Sequence, residues 1–219
     1  MIILGLTGSI GMGKTTAANN FKSLGVPTHD ADAAVHSLLV KGGDAVAEIE
    51  KTFPGVVHNG AVDRQRLGAI VFDDDVALHR LESILHPQVA RHKHRFLAHA
   101  ARAGARVVVL DVPLLFETGG EKNCDGVVTV SAPAFVQTAR VLARPGMTQE
   151  KLKAILARQM PDAEKRRRAD FIVPTGLGRV ENLRASRKIL SSVRYWRGRH
   201  WPPFPARPRI HRNPSPWAV

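Results

Sequence analysis

The stretch Gly8-Ser9-Ile10-Gly11-Met12-Gly13-Lys14-Thr15 sets three glycines, a lysine and a hydroxyl at the spacing G-x-x-x-x-G-K-[ST]. That spacing builds a phosphate-binding loop. Gly8, Gly11 and Gly13 let the main chain turn tightly and bring its N–H groups up to phosphate oxygens. Lys14 puts an ammonium beside the β- and γ-phosphates of a nucleotide, and the Thr15 hydroxyl suits Mg²⁺. Met12 and Thr16 complete the set of residues expected at the nucleotide.

Three further positions carry candidate chemistry. Asp30-Ala31-Asp32 offers carboxylates that can orient an attacking hydroxyl and take its proton, and Asp32 is the one assigned to that task. Either aspartate can instead cap the following helix. Asp111 ends an apolar run, where it can bind Mg²⁺ directly or through water, or simply accept a loop N–H. Gln137, Arg140 and Arg144 stand three and four apart on one helix face. Arginine suits bidentate phosphate contact, so Arg140 and Arg144 are expected to cover charge on the moving phosphoryl group. The alternative is a solvated arginine face.

The elements that must hold these residues read as alternating strands and helices. Met1 to Leu6 is a buried strand running into the glycine loop. Ala17, Phe21 and Leu24 make the stripe of the helix that follows. Further strands are expected over 26–29, 106–111, 126–131 and 170–173, which predicts an α/β protein with a five-stranded parallel sheet flanked by helices, the P-loop NTPase fold. In such sheets ligands lie outside the carboxyl ends of the strands. The glycine loop follows the first strand and Asp30-Asp32 the second, so both should face one crevice.

Residues 33–104 are more than one crossover helix needs and read as a helical insert holding a second substrate. Gly42-Gly43, Pro54-Gly55 and Asn59-Gly60 are its turn signals. Pro87 predicts a kink or a new helix there. His79, His86, His92, His94 and His99 sit at surface and cap spacings, not metal spacing. Val112-Pro113-Leu114-Leu115-Phe116-Glu117 is expected to wall the acceptor pocket. Residues 137–168 read as a helical lid that excludes water, with Val136, Ala139 and Ala143 as the packed side of its first helix. Val180, Leu183, Leu190 and Val193 suggest a last amphipathic helix. The kinase domain is expected over 1–198, with a flexible basic, Pro-rich tail over 199–219.

Together these stretches resemble the dephospho-coenzyme A kinases, a P-loop kinase family. The resemblance rests on residues 6–16, Asp30-Ala31-Asp32, Leu85-His86-Pro87 and Asp111 through Glu117. It continues through Gln137 with Arg140 and Arg144, Arg158-Gln159, and Ala169-Asp170-Phe171. It implies transfer of the ATP γ-phosphate to the ribose 3′-hydroxyl of dephospho-coenzyme A, giving coenzyme A and ADP in the last step of coenzyme A synthesis. It implies ATP, Mg²⁺, a helical acceptor region and a lid, with the acceptor-side aspartate at Asp32. The chain departs from the family at Met12, where a small residue is usual, and at Val173-Pro174-Thr175-Gly176, near the expected adenine contacts.

Composition narrows the alternatives. The 219 residues are 44% hydrophobic, which suits a globular protein. Cys124 is the single cysteine, so no internal disulfide forms and a reducing cytoplasm fits. No apolar run approaches the roughly 20 residues of a membrane span. The net charge is +13, but nine bases and no acid follow Glu181, leaving +4 for the body. The basic tail reads as a solvated extension, with nucleic acid or membrane phosphate as its other reading, and no nucleic-acid partner is expected. A monomer or weak homo-oligomer is expected. Rival functions are a kinase of another small metabolite, and a GTPase switch. The switch lacks its usual guanine-reading Asn-Lys-x-Asp here, and Asp111 is followed by Val-Pro-Leu.

Overall fold

Ile2–Thr7 is buried along its whole length and forms the central strand β1 of a parallel sheet. The computed structural model describes residues 1–72 and 74–202. After β1 come α1 (Lys14–Ser23), β2 (Thr28–Asp30) and α2 (Ala31–Leu39). The insert follows, with α3 (Val46–Thr52), a hairpin of β3 (Val57–His58) and β4 (Ala61–Val62), α4 (Arg64–Val71) and α5 (Asp75–Arg102). The chain then runs through β5 (Val107–Asp111), β6 (Gly126–Ser131), α6 (Ala134–Leu142), α7 (Gln149–Ala157), α8 (Asp162–Arg168), β7 (Phe171–Pro174) and α9 (Arg179–Ser192). The five long strands lie in the order β2-β5-β1-β6-β7, all parallel. This is the five-stranded sheet expected of a P-loop fold.

Register puts the chemistry at one edge. Asp30 pairs with Asp111 across β2 and β5, and Leu6 pairs with Asp111 across β1 and β5. Both aspartates therefore stand at the carboxyl ends of their strands, level with the start of the glycine loop. Ile2, Leu4, Leu6, Phe21, Val128, Val130 and Ile189 fill the core on one face of the sheet. Ile3, Leu97, Val108, Leu110 and Leu115 fill the other. The insert has its own cluster around Leu38, Ile49, Phe53, Val56, Leu81 and Ile84.

Several local expectations are corrected. α5 is one continuous helix of 28 residues with Pro87 inside it, not two helices. Proline removes one intrahelical bond, a loss of about 3 kcal/mol in isolation. Burial of Leu81, Ile84 and Gln88 on either side holds the helix through it. The insert also contains the hairpin β3–β4, turned by Asn59 at φ 53° and Gly60 at φ 79°. Both residues have the positive φ that a type I′ turn requires.

The packed sides of α6 and α9 match the sequence reading only in part, with Val136, Leu190 and Val193 against the core as expected. In α6 it is Gln137 and Val141 that are buried, whereas Ala139 and Ala143 are exposed. In α9 the buried residues are Asn182, Ser186 and Ile189, and Val180 is 62% exposed. Asn182 accepts from Asn20 Nδ2 at 2.9 Å, so α9 meets α1 through polar side chains that hydrophobic periodicity does not register. Residues 196–202, in part assigned to a flexible tail, lie against the body. Trp196 stacks near Phe171, Trp201 near His94, and the Arg199 N–H donates to Asp125 at 2.6 Å. The rest of the expected tail, from residue 203, lies outside the described residues.

Candidate active site

The loop between β1 and α1 takes its shape from close approaches. Gly11 and Gly13 hold φ values of 76° and 86°. A Cβ on Gly11 would lie 2.5 Å from Val141, and one on Gly8 would lie 2.3 Å from Val130. Neither position admits a side chain. Gly13 caps α1 in the left-handed conformation, leaving the helix N-terminus open to an anion. Among the described residues, no group takes the N–H of Gly11, Gly13, Lys14 or Thr15. Among the same residues Gly8 and Ser9 show no acceptor for their N–H either, and the four others are the donors gathered at the start of α1.

Met12, expected at the nucleotide, has its own groups already engaged within the protein. Its N–H already donates to Ser9 O at 3.1 Å, and its side chain is 2% exposed. The thioether points into the core, where its Sδ accepts from the Ala132 N–H at 3.1 Å. The bulk that departs from the family pattern is thus absorbed inside, and Met12 shapes the loop without adding a donor.

Lys14 Nζ donates to Asp111 Oδ1 at 2.5 Å, and the Asp111 side chain is only 5% exposed. Burial pushes the Asp111 carboxyl above its ordinary value. Lys14 pulls it down by charge and hydrogen bond, and Asp30 and Asp32 push it up again. Asp30 and Asp32 are thus near enough to act on the Asp111 carboxyl that Lys14 pairs. Asp30 is the cap of α2, its Oδ1 accepting from the Ala33 N–H at 3.0 Å. Asp32 stands exposed in the first turn of that helix. The capping role falls on Asp30 and leaves Asp32 free.

Behind the aspartates lies an apolar cavity of about 490 Å³. Its wall includes His29 and Ala31, on either side of Asp30, and Leu110 and Val112, on either side of Asp111. Leu78, Leu81, Leu85 and Val89 of α5 close it from the insert, and Leu115 of the apolar loop lines it too. The insert and that loop were both expected to wall the acceptor.

His29 is buried, and its Nε2 lies 3.1 Å from His92 Nδ1. His92 is thus part of a ring pair, a contact its sequence spacing did not suggest. Burial, then His92 and Lys93, lower the His29 pKa to about 4, against a smaller opposing effect of Asp30. The ring is neutral when folded but ionises near 6.5 when unfolded. Stability from this group is present above about pH 6.5 and is lost as the pH falls toward 4, by at most about 3 kcal/mol. A pH series of unfolding midpoints should show this decline, and His29→Asn should flatten it.

A second cavity of about 390 Å³ lies on the other flank of the loop, lined by Gly11, Gly13, Thr15, Thr16, Arg140, Arg144, Thr175 and Arg179. Arg140 and Arg144 do meet the loop here. Arg140 is anchored, its Nη1 donating to Thr175 Oγ1 at 3.1 Å and its Nη2 to Thr175 O at 2.7 Å. Thr175 Oγ1 in turn donates to Met12 O at 2.6 Å. Thr175 is a clasp the sequence reading missed, though it lies in the segment marked as departing from the family. Thr175→Val keeps the shape and removes the hydroxyl. It should weaken nucleotide binding about tenfold, roughly the loss expected from leaving buried polar groups unpaired. Calorimetric titration with nucleotide measures it.

The basic run 165–168 hides a buried residue. Lys165 is 0% exposed and pairs with Glu117 at 2.9 Å, while Arg166, Arg167 and Arg168 face solvent. Nothing in four consecutive bases distinguishes the one that turns inward. Arg179 and Gln159 were likewise unassigned, although Gln159 belongs to the Arg158-Gln159 pair of the resemblance.

Comparison with known proteins agrees with this geometry. A family model described as "Dephospho-CoA kinase" matches residues 2–177. A dephospho-CoA kinase of Mesorhizobium japonicum is 56% identical over 199 residues, covering 90% of this chain and 100% of the relative. One from Paramagnetospirillum magneticum is 64% identical over 166 residues, covering 76% of this chain and 78% of the relative. Among solved structures, a Thermus thermophilus protein superposes with a TM-score of 0.76 at 36% identity, covering 87% of this chain and 96% of its own. A dephospho-CoA kinase from Campylobacter jejuni superposes at 0.61 with 25% identity, covering 87% and 96%.

Proposed function

Because this chain belongs to the dephospho-CoA kinase family, we propose that it transfers the γ-phosphate of ATP to the 3′-hydroxyl of dephospho-coenzyme A along the line from Lys14 to the apolar cavity. One observation carries the reading. The residues flanking Asp30 and Asp111 line the apolar cavity, while Asp111 itself holds Lys14 of the phosphate loop. The carboxylates thus stand between a phosphate site and a site shaped for an apolar-rich acceptor.

The free N–H groups of Gly11, Gly13, Lys14 and Thr15 cradle the phosphates at the positive end of α1. Lys14 leaves Asp111 for the β- and γ-phosphates when nucleotide enters. Arg140, held in place by Thr175, and Arg144 add positive charge on the same flank. Asp32 orients the acceptor hydroxyl and receives its proton. Phosphoryl transfer is largely dissociative, so aim matters more than basicity here.

The donors also suit Mg²⁺. The Thr15 hydroxyl and the Asp111 carboxylate are hard oxygen ligands, and Asp30 and Asp32 lie near enough to act on that carboxylate. Mg²⁺ takes one or two carboxylates, with substrate phosphates and water as its other ligands. When bound it would neutralise charge on the phosphates. Among the described residues no helix is long and apolar enough to cross a membrane.

The test is coupled ADP release with ATP and Mg²⁺, with and without dephospho-coenzyme A. Turnover that requires the acceptor is expected. ADP release at the same rate without it would make this chain an ATPase, and tight nucleotide binding with no turnover would point to another acceptor.

A further inference from the structure

The two roots of the lid are fastened to one residue of the phosphate loop. Ile10 uses both of its main-chain groups. Its C=O accepts from Gln137 Nε2 at 2.8 Å, and its N–H donates to Gln159 Oε1 at 3.0 Å. Gln137 is buried in α6, where the chain enters the lid, and Gln159 lies just past α7, where it returns. Neither hydrogen bond is needed to close a helix or a strand.

The return segment is gripped from the other side as well. The N–H of Met160, the next residue, donates to Glu117 Oε1 at 2.8 Å. Glu117 lies two residues beyond Leu115, which lines the apolar cavity. Burial acts to raise the Glu117 carboxyl, but the Lys165 and Met160 hydrogen bonds hold it below its ordinary value. That carboxylate is therefore charged and fixed. Two consecutive residues, Gln159 and Met160, join the phosphate loop to the wall of the acceptor cavity.

We propose that the Gln159-Met160 turn couples the two substrate sites, and that Gln159 is a positioning residue for the phosphate loop. Resting on the assignment of the cavity to dephospho-coenzyme A, the argument is one of linkage. An acceptor that presses on the Leu115 wall shifts Glu117 and with it the 159–160 turn. That turn holds the N–H of Ile10, so the loop is set for nucleotide only when the wall is in place. Coupling of this kind is reciprocal between the two ligands.

The experiment is calorimetric titration of a non-hydrolysable ATP analogue with Mg²⁺, with and without saturating dephospho-coenzyme A. The full chain is compared with Gln159→Leu and Gln159→Glu. The parent should bind the analogue about fivefold or more tightly with acceptor present, the lower end of ordinary coupling. Gln159→Leu, which has no acceptor atom for Ile10, should reduce that ratio to below about twofold while binding dephospho-coenzyme A alone as the parent does. Gln159→Glu keeps an oxygen there and should retain the parent ratio, although its added charge weakens nucleotide binding in both arms. A merely structural tether would shift the unfolding midpoint and leave the ratio alone. The parent ratio surviving in Gln159→Leu overturns the proposal. So does a parent that binds dephospho-coenzyme A with a ratio of one, and the assigned activity then stands. A parent that binds no dephospho-coenzyme A overturns the activity and this inference together.

Discussion

Lys14→Ala should lower turnover by roughly a thousandfold or more, the scale seen when one charge-stabilising group is removed from a phosphoryl- or acyl-transfer site. Among the described residues Lys14 supplies the only ammonium on Asp111, so the variant also tests the pair. Burial already pushes the Asp111 carboxyl up, and Lys14 is the first influence opposing it. Without Lys14 the folded-state pKa of Asp111 rises further above its unfolded value. A carboxyl raised in this way gives its full stability below the unfolded pKa and loses it as the pH rises through the folded one. The variant should therefore match the parent most closely near pH 4 and fall behind it toward pH 7, by about 1–3 kcal/mol. Steady-state ADP release and unfolding midpoints at the two pH values check both halves. Parent-like turnover would remove Lys14 from the chemistry, and a deficit that grows toward low pH would contradict the account of the pair.

Asp32→Asn should lower kcat by roughly a hundredfold or more, the range of a positioned general base, with little change in the binding of either substrate. The isosteric amide still fills the first turn of α2 but neither holds nor takes the acceptor proton. Asp32 is exposed, so stability should move by no more than about 1 kcal/mol, the worth of an acid at a helix N-terminus. Asp30→Ala is the partner measurement. It removes the cap bond to Ala33 and should lose about 1 kcal/mol of stability. The contrast separates chemistry at Asp32 from capping at Asp30. If Asp32→Asn turns over at the parent rate, the assignment of Asp32 is wrong.

Residues 8–15 announce a phosphate loop because the spacing of glycines, lysine and hydroxyl is itself local, and Gly11 and Gly13 take the positive φ that favours glycine. The five strands and their order along the chain were legible for the same reason. Apolar runs ending in glycine or aspartate leave few alternatives. That Asp30-Asp32 and the glycine loop share one edge was also foreseeable, since parallel strands deliver their carboxyl ends there, whereas the pairing of Asp30 with Asp111 came from the register.

What tertiary structure alone decided lies in contacts far apart along the chain. Pro87 predicts a kink or a new helix, yet packing on both sides keeps α5 one continuous helix through it. Lys165 is indistinguishable from Arg166, Arg167 and Arg168 until Glu117 and Pro113, about fifty residues away, come to meet it. Thr175 is an ordinary loop residue until it touches Met12 and Arg140. Gln137 looks like the neighbour of Arg140 on an exposed face, but it turns inward to hold Ile10. Each case is a polar group whose partner is set by the meeting of separate elements, and periodicity within one element carries no trace of that partner. Sequence alone thus determined the phosphate loop, the strand ends and the chemistry they present. The clasp around Met12, and the ties of Gln137 and Gln159 to Ile10, required the folded chain.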